Sequence, residues 1–211
     1  MTTAVAEECE LILSVGDTTF LDYRGIKRKR EGYGPTGNGG NGLILHSALA
    51  IEPQQGQTLG LLWQKLWNRE QKPKPPKDET PKQKKKRQAK KRKAARQRAF
   101  TEKESYKWVE ALTEVEKQVE VNTRVIHIFD REGDIAEVFE QVRQLKHTGV
   151  VVRAAHNRSL DQNSSRLWEK MESEPVCLEL QIDVPKTANR CLLYTSPSPR
   201  DATLSRMPSS A

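Results

Sequence analysis

The residue pattern predicts a mixed α/β domain with the element order β-β-β-α-β-α-β. Three observations carry that expectation. Short apolar runs separated by brief connections come first, an apolar stripe at helical spacing follows, and a strand–helix–strand unit closes the pattern. The chain has 211 residues, 35% of them hydrophobic, enough for one modest core.

The first apolar run is residues 11–15 (LILSV), ending at Gly16-Asp17, and it reads as a buried strand. Residues 31–42 (EGYGPTGNGGNG) are rich in Gly and Asn and are expected to form loop. Residues 43–51 (LILHSALAI) make a second strand and residues 58–67 a third. Connections this short favour an antiparallel meander. Residues 101–104 (TEKE) have the spacing of a capping box. Trp108, Val109, Leu112, Val115 and Val119 then recur at helical spacing. Residues 125–129 (VIHIF) form a strand ending at Asp130, and Asp134 is placed to cap a second helix. That helix has the stripe Ile135, Val138, Phe139, Val142 and Leu145, and it is expected to end at Gly149 before a strand over 150–152. Strand–helix–strand over about 30 residues implies parallel strands. A three-strand meander followed by a βαβ unit is the element order of an RNase H-like mixed sheet, an order that other α/β folds share. Further on, residues 167–171 suggest a short helix and residues 177–184 (CLELQIDV) alternate like a strand.

Charge is unevenly placed. The whole chain carries +8, but residues 72–98 hold 14 Lys/Arg against 2 Asp/Glu, a net +12, so the remainder carries −4. The opening of that segment, KPKPPKDETPK, is Pro-rich and extended, whereas KKKRQAKKRKAARQRA has good helix formers and no apolar face. It is expected to be a solvated, partly helical arm, a basic insertion or linker within the domain. Cys9, Cys177 and Cys191 show no CxxC spacing and no disulfide framework, which fits a reducing compartment. No signal peptide pattern and no apolar run of membrane-spanning length occurs, so a soluble, cytoplasmic protein is expected. The four His residues lack metal-ligand spacing, and Trp63, Trp67 and Trp108 read as core.

Asp17 and Asp130 both fall at predicted strand ends. Carboxylates at the ends of neighbouring strands can converge and hold Mg²⁺, a hard cation that prefers oxygen. Such ions assist phosphodiester cleavage by activating water and stabilising the leaving oxygen. The plainer alternative is that Asp17 caps a turn and Asp130 a helix start.

The sequences around these acids carry a resemblance. Residues 16–23 (GDTTFLDY) contain a "DTT" signature and residues 129–135 (FDREGDI) a "DRE-DI" signature. Residues 45–49 (LHSAL), 102–108 (EKESYKW) and 151–158 (VVRAAHNR) lie in matching order. Together, over roughly residues 10–160, they resemble the catalytic domain of IS4-type (Tn5-like) DDE transposases. That resemblance implies an RNase H-like domain with Asp17 and Asp130 as the first two metal ligands, using Mg²⁺ or Mn²⁺. It implies cut-and-paste chemistry on double-stranded DNA at transposon ends, a homodimer in the intact protein, and a nucleoid-associated location. Arg153, His156 and Arg158 match a segment near the DNA, although solvated residues after a strand would look the same.

The departures are equally specific. The family's third acid lies in a helix with the pattern Y-x2-R-x3-E-x6-K, which is absent here; Glu169, Glu172 and Glu174 lack the Tyr and Arg upstream. Only sixteen residues precede Asp17, where the family has a DNA-binding domain. Residues 191–211 (CLLYTSPSPRDATLSRMPSSA) look like a translated sequencing adapter and read as a non-native tail. The expected organisation is therefore 1–71 and 99–160 as two halves of the catalytic domain, 72–98 as the basic insertion, 161–190 as the possible start of a β-rich insertion, and 191–211 as tail. Within 72–98, Lys84, Lys85, Lys86, Arg87, Lys90, Lys91, Arg92 and Lys93 are candidate DNA contacts, since phosphate neutralisation gives salt-dependent, sequence-independent affinity. As written, the chain is expected to be a fragment without catalytic activity. The competing readings are a non-enzymatic nucleic-acid-binding protein that uses the basic arm, and a hydrolytic nuclease on the same fold.

Overall fold

Alternation of side chains along each strand sorts the sheet into two unlike faces. The computed structural model describes residues 2–26, 31–37, 39–71, 75–76, 78–119, 122–160 and 165–176. After a short helix α1 (Thr2–Ala6), the sheet is built from β1 (Leu11–Asp22), β2 (Gly34–Gly37), β3 (Gly40–Glu52) and β4 (Gln57–Trp67). The basic segment supplies α2 (Pro81–Gln97). Then come α3 (Tyr106–Gln118), β5 (Arg124–Phe129), α4 (Ala136–Val142) and β6 (Thr148–Val152). The strand order is β2-β3-β1-β5-β6, with β4 also paired to β3. β3 runs antiparallel to β1, β2 and β4, whereas β1, β5 and β6 are parallel to one another. The result is a mixed α/β fold with a mixed six-stranded sheet.

One face is packed. Ile12, Ser14, Ile44, His46, Ala48, Ala50, Val125, His127 and Phe129 are all buried on it. The apolar stripe of α3 covers them: Leu112 and Trp108 join Phe129 and Val138, and Val115 joins Ile12, Ala48 and Val125. Burying a large side chain of this kind stabilises by ~1.5–3 kcal/mol. The opposite face carries Leu13, Val15, Leu45, Ile126 and Ile128, which are half-buried, with Leu49, Leu61, Leu66 and Val151 exposed. It contributes no residue to either hydrophobic cluster among the described residues.

Several local expectations change. β1 continues past Gly16 to Asp22 because β3 pairs with it as far as Asp22↔Gly42. The Gly-rich loop contains β2, whose Gly34 pairs with Gly42. The capping box expected at residues 101–104 does not form. Residues Phe100–Glu102 make a 3-10 turn, α3 starts at Tyr106, and Glu104 pairs with Arg69 instead. A capping box does form at α2, between Thr80 and Gln83. Asp134 ends the 3-10 turn Arg131–Gly133, and Ile135 is the N-cap of α4. α4 stops at Val142, and Gly149 lies inside β6.

The chain divides into two units, Met1–Arg153 and Ala154–Ala211. In the second, α5 (Leu167–Ser173) follows an isolated bridge between Ser159 and Arg166, and the Trp168 amide donates to Asn157 Oδ1 at 3.0 Å. The strand expected over 177–184 and the tail over 191–211 lie outside the described residues. No described helix is long and apolar enough to cross a membrane.

Candidate metal centre

The register of the parallel strands aligns the two acids. Val15 pairs with Ile128, and Ile128 with Val151. Two residues further along each strand stand Asp17, Asp130 and Arg153. The amide of Arg153 donates to the Phe129 carbonyl at 3.0 Å, so β6 stays alongside β5 through that row. On the other side Asp17 pairs with Ser47, and Ser47 with Gln64. Residues two apart along a strand share its face, so Asp17 is on the open face of β1, while Asp130 and Arg153 stand just past the ends of β5 and β6, two residues beyond Ile128 and Val151. All three are exposed. Asp17 is thus mid-strand in β1, yet it stands where pairing to β5 ends. β1 runs on beside β3 while β5 turns away at Asp130.

Side chains on the packed face fix this end of the sheet. A Cβ on Gly16 would lie 2.8 Å from Phe129 Cε1, and one on Gly133 would lie 2.7 Å from Phe129 Cβ. Two glycines, each next to or near one of the acids in sequence, therefore admit the Phe129 ring between them. Trp108 packs on that ring with centroids 4.7 Å apart, and His46 packs on Trp108 at 4.4 Å. Thr18 Oγ1 and His46 Nδ1 share a hydrogen bond of 2.9 Å. Burial, aided by the charge of Lys107, lowers the His46 pKa to about 4, so the ring is neutral. Burial alone lowers that of His127 to about 3. Asp130 Oδ1 accepts from the Glu132 amide at 2.9 Å. The plainer expectation for Asp130, a cap at a helix start, is therefore met at the 3-10 turn Arg131–Gly133.

Beside the row, on the packed side, is a cleft of about 300 Å³ lined by Thr18, Phe20, Trp67, Arg69, Glu104 and Lys107, among others. Arg69 grips Glu104 with two bonds, Nε–Oε1 at 2.6 Å and a second to Oε2 at 2.7 Å, which holds the Glu104 carboxyl below its usual pKa. Lys107, with a side chain 9% exposed, donates to Glu132 Oε2 at 2.9 Å and lies 5.2 Å from the Trp108 ring centre. The sequence suggests no role for Arg69, Lys107 and Glu132, and for Glu104 only the helix cap that does not form. Glu104, Lys107 and Glu132 fall inside quoted motifs, but a pairing such as Arg69–Glu104 spans 35 positions and leaves no local signal.

No protein-family model matches the chain. The remaining candidate residues are dispersed. His156 and Arg158 belong to the second unit. Lys84, Lys85, Lys86, Arg87, Lys90, Lys91, Arg92 and Lys93 are all exposed on α2. Among the described residues, no group of three His, Cys, Asp or Glu side chains is arranged to hold a metal. The donor chemistry of the pair still suits a hard divalent ion, since Asp17 and Asp130 both offer exposed carboxylate oxygens.

Proposed function

We propose that this chain carries part of the catalytic domain of a DDE-type, IS4-like DNA transposase, on an RNase H-like sheet. The observation that carries the proposal is that Asp17 and Asp130 each stand two residues beyond Val15↔Ile128, the last pair of the adjacent parallel strands β1 and β5. The element order, a meander followed by a parallel βαβ unit, supports it, as do the signatures flanking each acid.

In this proposal Asp17 and Asp130 hold Mg²⁺ or Mn²⁺, and the capping bond from Glu132 orients the second carboxylate. The chemistry that such an ion supplies when bound is activation of the attacking oxygen and stabilisation of the leaving oxygen at phosphorus. Arg153 completes the row with a planar fork that suits a DNA phosphate. Double-stranded DNA is the substrate, and a homodimer is the working form of the intact enzyme. Two carboxylates make an incomplete ligand set, so the 211-residue chain binds metal weakly and does not cleave.

The test is Mn²⁺ binding by the full chain, followed by electron paramagnetic resonance. Weak binding that disappears in both Asp17→Asn and Asp130→Asn is the expected result. Binding indifferent to both substitutions would refute the shared site. Mg²⁺-dependent cleavage of duplex ends by the unaltered chain would show that two acids suffice.

A further inference from the structure

We infer that α2 is a preformed helix that binds the phosphate backbone of B-form duplex DNA independently of sequence and of the acid pair. The helix spans 17 residues, Pro81–Gln97, and every one of them is exposed. It holds ten Lys/Arg and no Asp/Glu. Repulsion among ten like charges opposes helix formation, yet the N-terminus is secured. Thr80 and Gln83 form a reciprocal capping box, Pro81 occupies the first turn, and Arg87 grips Glu79 through Nε at 2.7 Å and a second bond at 2.9 Å.

Helical geometry sorts the cations. At 3.6 residues per turn, Lys82, Lys85, Lys86, Lys90, Lys93 and Arg96 fall within a sector of about 140°. Only Ala89 and Gln97 share that sector. Arg87, already paired with Glu79, lies outside it. The sector thus presents six cations in which no ion pair is seen among the described residues, and it excludes Lys84, Arg87, Lys91 and Arg92 from the set that the sequence nominates.

The chemistry of the surface selects its partner. A helix that binds a membrane surface needs an apolar face, and α2 has only Ala89, Ala94 and Ala95 as apolar side chains after Pro81. Single strands are held largely by aromatic stacking, and α2 has no aromatic residue. A straight rod about 25 Å long and 10–12 Å wide fits the B-form major groove, which is about 12 Å wide. The deep, narrow major groove of A-form RNA does not admit it. With Lys or Arg at six of its eight positions, the sector contacts mainly phosphate, and such contacts carry no sequence information.

The experiment uses the full chain and a mixed-sequence DNA duplex, with affinity measured against salt concentration. Replacing the six sector cations by Gln should flatten the log–log salt slope by about 5 and weaken binding about 10³-fold at low salt, equally for any sequence. Circular dichroism monitors that the fold is kept. Ala89→Pro keeps every charge but breaks the rod, and it should also weaken binding. All binding is measured in EDTA, which removes any divalent ion, so a failure of the metal-centre proposal is distinguishable from a failure of this one. Equal affinity for an RNA duplex, for single-stranded DNA or for phosphatidylserine vesicles overturns the inference, as does an Ala89→Pro variant that binds normally.

Discussion

The two faces of the sheet share strands and register but differ in what their residues do. On the packed face, alternate positions from Ile12 to Gly16, from Ile44 to Ala50 and from Val125 to Phe129 are buried beneath α3 and its neighbours. On the open face the intervening positions are apolar too, yet Leu49, Leu66 and Val151 are 41%, 55% and 57% exposed. Residue type alone therefore does not report burial in this sheet. The contrast also separates roles: the packed face supplies rigidity through Phe129 and Trp108, and the open face displays Asp17.

The contrast predicts a graded set of stability effects. The largest belongs to Trp108→Ala, which empties the centre of the packed face and should cost about 3–5 kcal/mol, read as a fall in denaturation midpoint. Acid comes next. His46 and His127 have folded pKa values lowered to about 4 and about 3 from 6.5, so the fold favours their neutral forms. Their stabilising effect is complete above pH ~6.5 and is lost as pH falls through about 4 for His46 and about 3 for His127. Neither His127 nitrogen has a hydrogen-bond partner among the described residues, so His127→Leu should roughly halve that acid sensitivity; an unchanged pH profile would contradict the assignment. Gly16→Ala drives a methyl into Phe129 and should cost about 1–3 kcal/mol, seen by chemical denaturation. The smallest effect is expected on the open face, where Val151→Thr should change stability by less than about 0.5 kcal/mol. A large loss there would mean that this face is covered in solution.

The long periodic elements are legible in the sequence. The strands at 43–51, 58–67 and 125–129 and the α3 stripe appear with their ends shifted by a few residues, because burial imposes the period directly. The mixed α/β class follows from their order. Residues whose state depends on distant partners are not legible. β1 runs on past Asp17 because β3 is there to pair with it. Glu104 abandons the local cap for Arg69, since a two-bonded guanidinium outcompetes a single amide. Asp17 and Asp130 are nominated by their surroundings in sequence, but that each of them, and Arg153, stands two residues past the aligned positions Val15, Ile128 and Val151 emerges only from strand register.

That register has a consequence for how the chain assembles. The β1–β3 and β3–β4 pairs join near neighbours in sequence, whereas β1 and β5 are brought together across more than a hundred residues. Closing so long a loop carries an entropic cost that rises only as the logarithm of its length, about 0.6 kcal/mol for each doubling. Inserting α2 and its flanks between β4 and α3 therefore adds a fraction of that amount. The alignment of β1 with β5 rests on that long-range pairing, and it is nearly indifferent to how much chain lies in the interval.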